Sequence, residues 1–149
     1  MAYDLHFHLT DPSEQSNGKF FTFGPSGQRV LGVSGVQKLV NRWVKIFMER
    51  RGSAAFSRSR GTYFGTLIGS NVDRLADLET VVRLYVDDAN SQIKEFDDRS
   101  DRLTDDERLR DATVLRFNVI EPDGIELWVE ITAISGRRLA ALLPITVGS

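Results

Sequence analysis

The chain has 149 residues and no cysteine, which excludes disulfide scaffolds, thiolate metal sites and cysteine nucleophiles. Its longest apolar runs, such as AALLPI, are far too short to cross a bilayer. The N-terminus lacks the basic flank and apolar stretch of an export signal, so none is expected. A formal net charge of −2 argues against an affinity of the whole chain for nucleic acid. We therefore expect neither a membrane nor a nucleic acid as a partner.

The length predicts a single domain over residues 1–149, large enough to bury a core. We divide it into an N-terminal strand and glycine-rich arm (1–33), a helical part (34–99) and a C-terminal sheet (103–147). The alternation of apolar and polar residues from Tyr3 to Leu9 predicts a half-buried strand. Glycines and polar residues in the rest of the arm indicate an extended, adaptable segment.

Two amphipathic helices are predicted in the helical part. The first begins after the N-cap residue Ser34 and ends at Gly52, with one apolar face made of Val36, Leu39, Val40, Trp43, Val44 and Phe47. The second runs from about Asn71 to about Phe96, with an apolar stripe made of Leu75, Leu78, Val82, Tyr85, Val86, Ala89, Ile93 and Phe96. One helical turn is expected from Tyr63 to Leu67. The acidic residues that follow the second helix are expected to be solvated: Asp97, Asp98 and Asp101.

The C-terminal part predicts a capped turn followed by three strands in meander order. Thr104 and Glu107 have the spacing of a capping box that opens a brief helix. In the first strand, Leu115, Phe117 and Val119 are expected on one face. The second strand should bury Leu127, Val129 and Ile131. Pro144 indicates that the last strand lies at an edge or ends near this residue. The predicted fold class is α+β, with two amphipathic helices packed on a small antiparallel sheet and an extended N-terminal strand or arm.

Three groups of side chains could form functional surfaces. Asp4, His6 and His8 share a strand face and could bind a metal, although a solvent-facing polar edge is the favoured interpretation. An arginine cluster near Phe56 and Tyr63 could bind phosphate, but pairing with carboxylates is favoured: Arg50, Arg51, Arg58 and Arg60. Trp128 is expected either under a helix of this chain or against another chain.

No catalytic constellation is found. Both histidines lie close together near the N-terminus, and no Ser-His-Asp pattern is visible. Glu79 and Asp88 have a separation like that of the acid pair in some phage lysozymes, but they lie on one predicted helix and point to opposite sides. Lys94 stands where that pattern has a threonine. We therefore expect no enzyme, no catalytic residue, no metal and no cofactor.

The order of the sequence segments resembles the baseplate wedge proteins that act as sheath initiators in contractile phage tails. The resemblance rests on VQKLVNRWVKIFMERRGS, RGTYFGTLIG, DDERL and the strand meander, and it covers about residues 34–147. The family has a short Glu-Pro-Arg motif before its sheet. Here Asp106, Glu107 and Arg108 occupy those positions, so that only the arginine is the same.

The resemblance implies a structural viral protein of the virion tail baseplate, assembled in the host cytoplasm. It implies contacts from Asp106, Glu107 and Arg108 to baseplate wedge proteins. It also implies that an edge strand accepts arms of the tail sheath protein by β-augmentation, made of Leu139, Ala140, Ala141, Leu142 and Leu143. Tube or hub proteins are further expected partners. The alternatives are a lysozyme-like peptidoglycan hydrolase, and a small adaptor domain unrelated to tails.

Overall fold

The computed structural model describes residues 9–10, 34–67, 75–120 and 124–146. The helices are α1 (Gly35–Met48), α2 (Phe64–Leu67) and α3 (Leu75–Asp98). The strands are β1 (Leu9–Thr10), β2 (Leu109–Ile120), β3 (Gly124–Ala133) and β4 (Arg138–Thr146). The predicted α+β class is confirmed, because amphipathic helices pack on an antiparallel sheet whose last three strands form a meander.

Helix α1 supplies the largest side chains of the core. All six of its predicted apolar positions are buried, as their spacing requires. The Trp43 and Phe47 rings stack with their centroids 5.0 Å apart, and Phe64 of α2 lies 4.5 Å from Phe47. The helix ends at Met48, so the prediction that Gly52 stops it was wrong. It ends early because the chain becomes extended at Glu49, where the backbone carbonyl accepts a hydrogen bond from the Thr62 amide.

Helix α3 buries most of its predicted stripe: Leu78, Val82, Val86, Ala89 and Ile93. The stripe does not end as predicted. Phe96 is 54% exposed, whereas Asp97, expected in solvent, is only 4% exposed. Asp97 lies four residues after Ile93, on the buried face, and polar partners described below hold it there. The predicted start of this helix near Asn71 lies outside the described residues.

The sheet has the strand order β1-β4-β3-β2, with antiparallel pairing throughout. The central strand β3 alternates as predicted, and its buried side chains are Ile125, Leu127, Val129, Ile131 and Ala133. Helices α1 and α3 pack on this face of the sheet. The core therefore lies between one face of the sheet and the two long helices.

Strand β2 departs from simple alternation. A register shift lies between Val114, which pairs with Val129, and Arg116, which pairs with Trp128. This bulge adds one residue, so that Val114 and Phe117 both pack on the core while Leu115 is 56% exposed. The prediction that Leu115 and Phe117 share a face was therefore wrong. Residues 121–123, between β2 and β3, lie outside the described part.

The predicted edge strand, Leu139 to Leu143, belongs to β4 but is not the outermost strand. Leu9 and Thr10 of β1 pair with Ala141 and Ala140 on its outer side. Strand β4 therefore lies between β3 and β1. The prediction that Leu139 to Leu143 form a free edge was wrong at Ala140 and Ala141, which pair with β1. Within the described part of the chain, β2 forms the other margin of the sheet.

Candidate functional site

The segment 103–108, which we call the connector, leads from α3 into β2. The Glu107 amide donates to the Thr104 carbonyl at 2.9 Å, and this closes one turn rather than the brief helix that was predicted. Two backbone hydrogen bonds attach the connector to the β3–β4 turn, from Ile134 N to Arg108 O at 3.0 Å and from Ser135 N to Asp105 O at 3.2 Å. The predicted wedge motif therefore lies beside this turn.

Glu107 caps helix α1 from the connector. Its Oε1 accepts from the Gly35 amide at 3.3 Å, and its Oε2 accepts from Lys38 Nζ at 3.1 Å. Ser34 occupies the N-cap position, as predicted, but its side chain makes no capping hydrogen bond. A carboxylate at this end of the helix also interacts favourably with the helix dipole. The connector thus replaces the local cap that the sequence indicated.

The cap changes the acidity of Glu107, which is buried. The hydrogen bond from Lys38 is the main reason that the pKa of Glu107 lies below its ordinary value. Burial opposes this effect by raising the pKa, and backbone hydrogen bonds from Gly35 and Thr104 lower it further. Glu107 is therefore held as a carboxylate in the folded protein.

Arg42 and Asp97 join α1, α3 and β2 at the same place. The Arg42 guanidinium donates to the Glu107 carbonyl at 2.9 Å and forms an ion pair with Asp97. Asp97 Oδ2 also accepts from the Leu109 amide at 2.7 Å, and the Arg42 guanidinium lies 4.9 Å from the Phe96 ring centroid. The spacing from Ile93 to Asp97 was the sequence signal that could have shown this buried acid.

The other two motif residues, Arg108 and Asp106, have different roles: one holds the loop and the other forms an ion pair at the surface. Arg108 donates from Nε to the Leu103 carbonyl at 3.3 Å and from Nη2 to the Ser100 carbonyl at 3.0 Å, so it fixes its own loop. Asp106 pairs with Arg137 at 3.4 Å, and the Arg137 side chain is 72% exposed. The accessible surface beside the motif therefore includes Asp106, Arg137 and the exposed Ile134.

A buried asparagine, not singled out from the sequence, connects the two helices to the sheet. Asn90 Oδ1 accepts from Trp43 Nε1 at 2.7 Å. Its Nδ2 donates to the Ala112 carbonyl at 2.9 Å and to Asp111 Oδ1 at 3.3 Å. Because both polar atoms of its side chain have partners, Asn90 fixes the relative position of α1, α3 and β2 without being left unsatisfied itself.

Residues 50–60 form the arginine loop, whose base is held by hydrogen bonds. Arg50 and Thr62 form a parallel backbone bridge, and the Gln92 amide group both donates to and accepts from the Gly61 backbone at 2.9 Å. Arg51 pairs with Asp88, and Arg60 pairs with Glu49 at 2.8 Å. The favoured interpretation, that these arginines pair with carboxylates, is confirmed for Arg51 and Arg60.

The sheet face opposite the helices carries Trp128. Its Nε1 donates to Glu126 Oε1 at 3.0 Å, and its strand neighbours are Arg116 and Leu142. Neither α1 nor α3 covers this half-buried indole, because both pack on the other face. At the margin of the sheet, β2 exposes three apolar side chains, with exposed fractions of 56%, 44% and 53%: Leu115, Val119 and Ile120.

The remaining candidates are distributed over the chain. Glu79 forms an ion pair with Arg83 at 2.7 Å, while its proposed acid partner, Asp88, pairs with Arg51. The residues Asp4, His6 and His8 lie outside the described part. Among residues 9–10, 34–67, 75–120 and 124–146, no group of three metal-ligating side chains is found. None of the helices in these ranges is long and apolar enough to span a bilayer.

Comparisons of the chain with protein-family models, with curated proteins and with solved structures found no match.

Proposed function

We propose that this protein is a structural component of a contractile-tail baseplate, which joins the wedge core to the first sheath ring and starts sheath assembly. The proposal begins from the resemblance of residues 34–147 to sheath initiators. The observation that carries it furthest is the margin of the sheet formed by β2. This strand has twelve residues, and no described strand pairs with its outer side. The part free of contacts begins after Ala112, because the Leu109 amide and the Ala112 carbonyl already bind the Asp97 and Asn90 side chains of α3.

An unpaired strand margin offers backbone N–H and C=O groups to an incoming strand. The exposed Leu115, Val119 and Ile120 would supply apolar contacts to such a strand, which would also meet three exposed charged residues of β2, Arg110, Asp111 and Arg116. Strand β4 is less suitable, because β1 already pairs with Ala140 and Ala141. We therefore place the sheath arm beside β2 rather than beside Leu139 to Leu143.

The wedge contact is proposed at the connector. Glu107 and Arg108 hold the connector in place through contacts within the chain, whereas Asp106 and Arg137 form an ion pair that a partner can reach. Asp106 is thus the motif residue best placed to contact a wedge protein directly. Arg108 acts on the same contact by fixing the loop that carries Asp106.

The first test is the composition of purified tail particles from the native source. We expect quantitative mass spectrometry to find the chain in the particles, with a copy number equal to the number of wedges. Absence from intact particles contradicts the proposal and leaves the hydrolase and adaptor alternatives to be assayed.

The second test concerns the strand margin. A double substitution, Leu115→Lys with Ile120→Lys, places charges on the edge of β2 and should prevent sheath nucleation by the purified protein. Leu84→Lys is the matched control, because Leu84 is 61% exposed on α3. Both variants should keep the melting temperature of the wild type. Normal sheath nucleation by the double variant would exclude β2 as the docking strand.

The third test separates the wedge contact from folding. We expect Asp106→Lys to prevent incorporation into wedges while the thermal unfolding curve stays close to that of the wild type, because an exposed ion pair contributes little to stability. Arg108→Ala is less informative, since it also removes two hydrogen bonds that hold the connector. Incorporation of the Asp106→Lys variant at the wild-type level excludes this residue as a contact.

A further inference from the structure

The arginine loop carries an aromatic side chain with no contacts to hide it. Phe56 has a relative exposure of 104%, the highest of the large apolar residues in the described part of the chain. Its neighbours in the loop are small: Ser53, Ala54, Ala55, Ser57 and Ser59. Because the ring is fully exposed and its chain neighbours Ala55 and Ser57 are small, it can enter a socket on a partner without a steric obstacle. This geometry is typical of an interface anchor.

The loop is ordered before any partner arrives. Arg51 donates to the Gly61 carbonyl at 3.1 Å, Thr62 Oγ1 donates to the Phe47 carbonyl at 2.7 Å, and Gln92 holds both backbone groups of Gly61. Within the loop, the Ser57 and Arg60 amides donate to carbonyls three residues earlier, each at 3.2 Å. Because these bonds fix the base and the turns, binding through Phe56 would lose little further conformational entropy.

The charges of the loop are divided into two kinds. Arg51 and Arg60 are neutralised within the chain by Asp88 and Glu49. Arg50 and Arg58, on either side of Phe56, are exposed, and no carboxylate of the described residues forms an ion pair with them. The tip is thus locally positive on a chain whose formal net charge is −2.

We propose that Phe56, Arg50 and Arg58 bind a partner protein that presents an apolar socket rimmed by carboxylates. The socket buries the ring, and the rim pairs with the two guanidinium groups, which suit bidentate contacts with carboxylates. A single aromatic residue is a small anchor for a membrane, and an acidic chain is a poor polyanion ligand. This surface uses none of the residues that we assign to the sheath or wedge contacts.

The experiment begins with the full-length protein carrying a photo-cross-linking amino acid at position 56, in a lysate of the native source. Each cross-linked protein is identified, purified and titrated with the wild type, Phe56→Ser, the double variant Arg50→Glu with Arg58→Glu, and the control Leu84→Ser. All variants should melt like the wild type, because the substituted side chains are exposed. Vesicles with and without phosphatidylglycerol, and random duplex DNA, are titrated in parallel.

The proposal predicts that Phe56→Ser weakens binding to one identified protein at least about tenfold, whereas Leu84→Ser does not. The arginine double variant should weaken the same complex most at low salt, and reversing a socket carboxylate to lysine should restore its binding. The proposal is overturned if no cross-linked protein binds in a Phe56-dependent manner. It is equally overturned if Phe56-dependent binding occurs to the vesicles or the DNA instead.

Discussion

At the residue scale, the cap that Glu107 places on α1 depends on the protonation state of its carboxylate. Its lowered pKa means that the carboxylate contributes stability that is fully present above the ordinary pKa of an unfolded glutamate. This contribution is lost as the pH falls through the lowered pKa of the folded state. The cap therefore weakens under acid conditions.

Glu107→Gln tests this coupling. Near neutral pH we expect the variant to lose about 1–2 kcal/mol of unfolding free energy, because the amide keeps an acceptor for Gly35 but loses the charge that binds Lys38. Chemical denaturation across the acid range should show the two proteins converging as the pH falls. A constant difference down to strongly acid pH means that the cap is not titrating.

Asn90 provides a second prediction at this scale. Asn90→Ala leaves the Trp43 N–H and the Ala112 carbonyl without their buried partner, and it should cost roughly 2–4 kcal/mol. Asn118→Ala is the control, since Asn118 makes one side-chain hydrogen bond at 3.3 Å to Glu126 on a partly exposed strand. Urea denaturation of both variants measures the difference. Equal costs contradict the assigned role of Asn90.

At the element scale, the arginine loop depends on one backbone position. Gly61 has φ +94°, and a Cβ at this position would clash with the Glu49 carbonyl oxygen. Gly61→Ala should therefore push apart the two chain segments that form the backbone bridge at the loop base, and it should cost more than about 1 kcal/mol. Gly65→Ala in α2 is the control, because apart from the adjacent residues and the helix's own backbone no atom lies within 4 Å of the added methyl group, and it should be neutral or slightly stabilising. Thermal unfolding compares the two, and similar losses exclude the proposed clash.

Elements whose pattern is local were predictable from the sequence. The α1 face from Val36 to Phe47 and the alternation of β3 need only the periods of a helix and a strand. The β2 bulge was not predictable, because the residue types of β2 do not show which residue is left out of the pairing with β3. Likewise, the burial of Asp97 depends on Arg42 and the Leu109 amide, which are distant in the sequence.

In the candidate site, too, local features were predictable from the sequence, whereas contacts between distant residues were not. The sequence singles out Asp106, Glu107 and Arg108, but their separate tasks arise from partners supplied by α1, by the end of α3 and by the β3–β4 turn. In the sequence, Phe56 stands out only as a neighbour of the arginines. Its complete exposure depends on how the loop closes at Thr62 and Gly61, which no local pattern shows.

At the scale of the whole molecule, the helices and the sheet stabilise each other through the connector. A fragment of residues 1–102 lacks Glu107, the Leu109 amide and strands β2 to β4, so α1 would lose its cap and the face on which it packs. We expect this fragment to show little helix by far-UV circular dichroism, since isolated helices of this length are marginal in water. Native-like helicity and a cooperative melt for the fragment contradict this interdependence.

The cap on α1 also sets an order of events during protein synthesis. Gly35 and Glu107 are separated by 72 positions, so the residues of α1 are synthesised long before the carboxylate that caps the helix. During that interval Trp43 and Phe47 have no sheet against which to bury. Contacts so distant in sequence slow folding and leave apolar surface open to chaperones and aggregation. The nascent chain thus commits to its fold only when the connector and strands β2 to β4 have emerged.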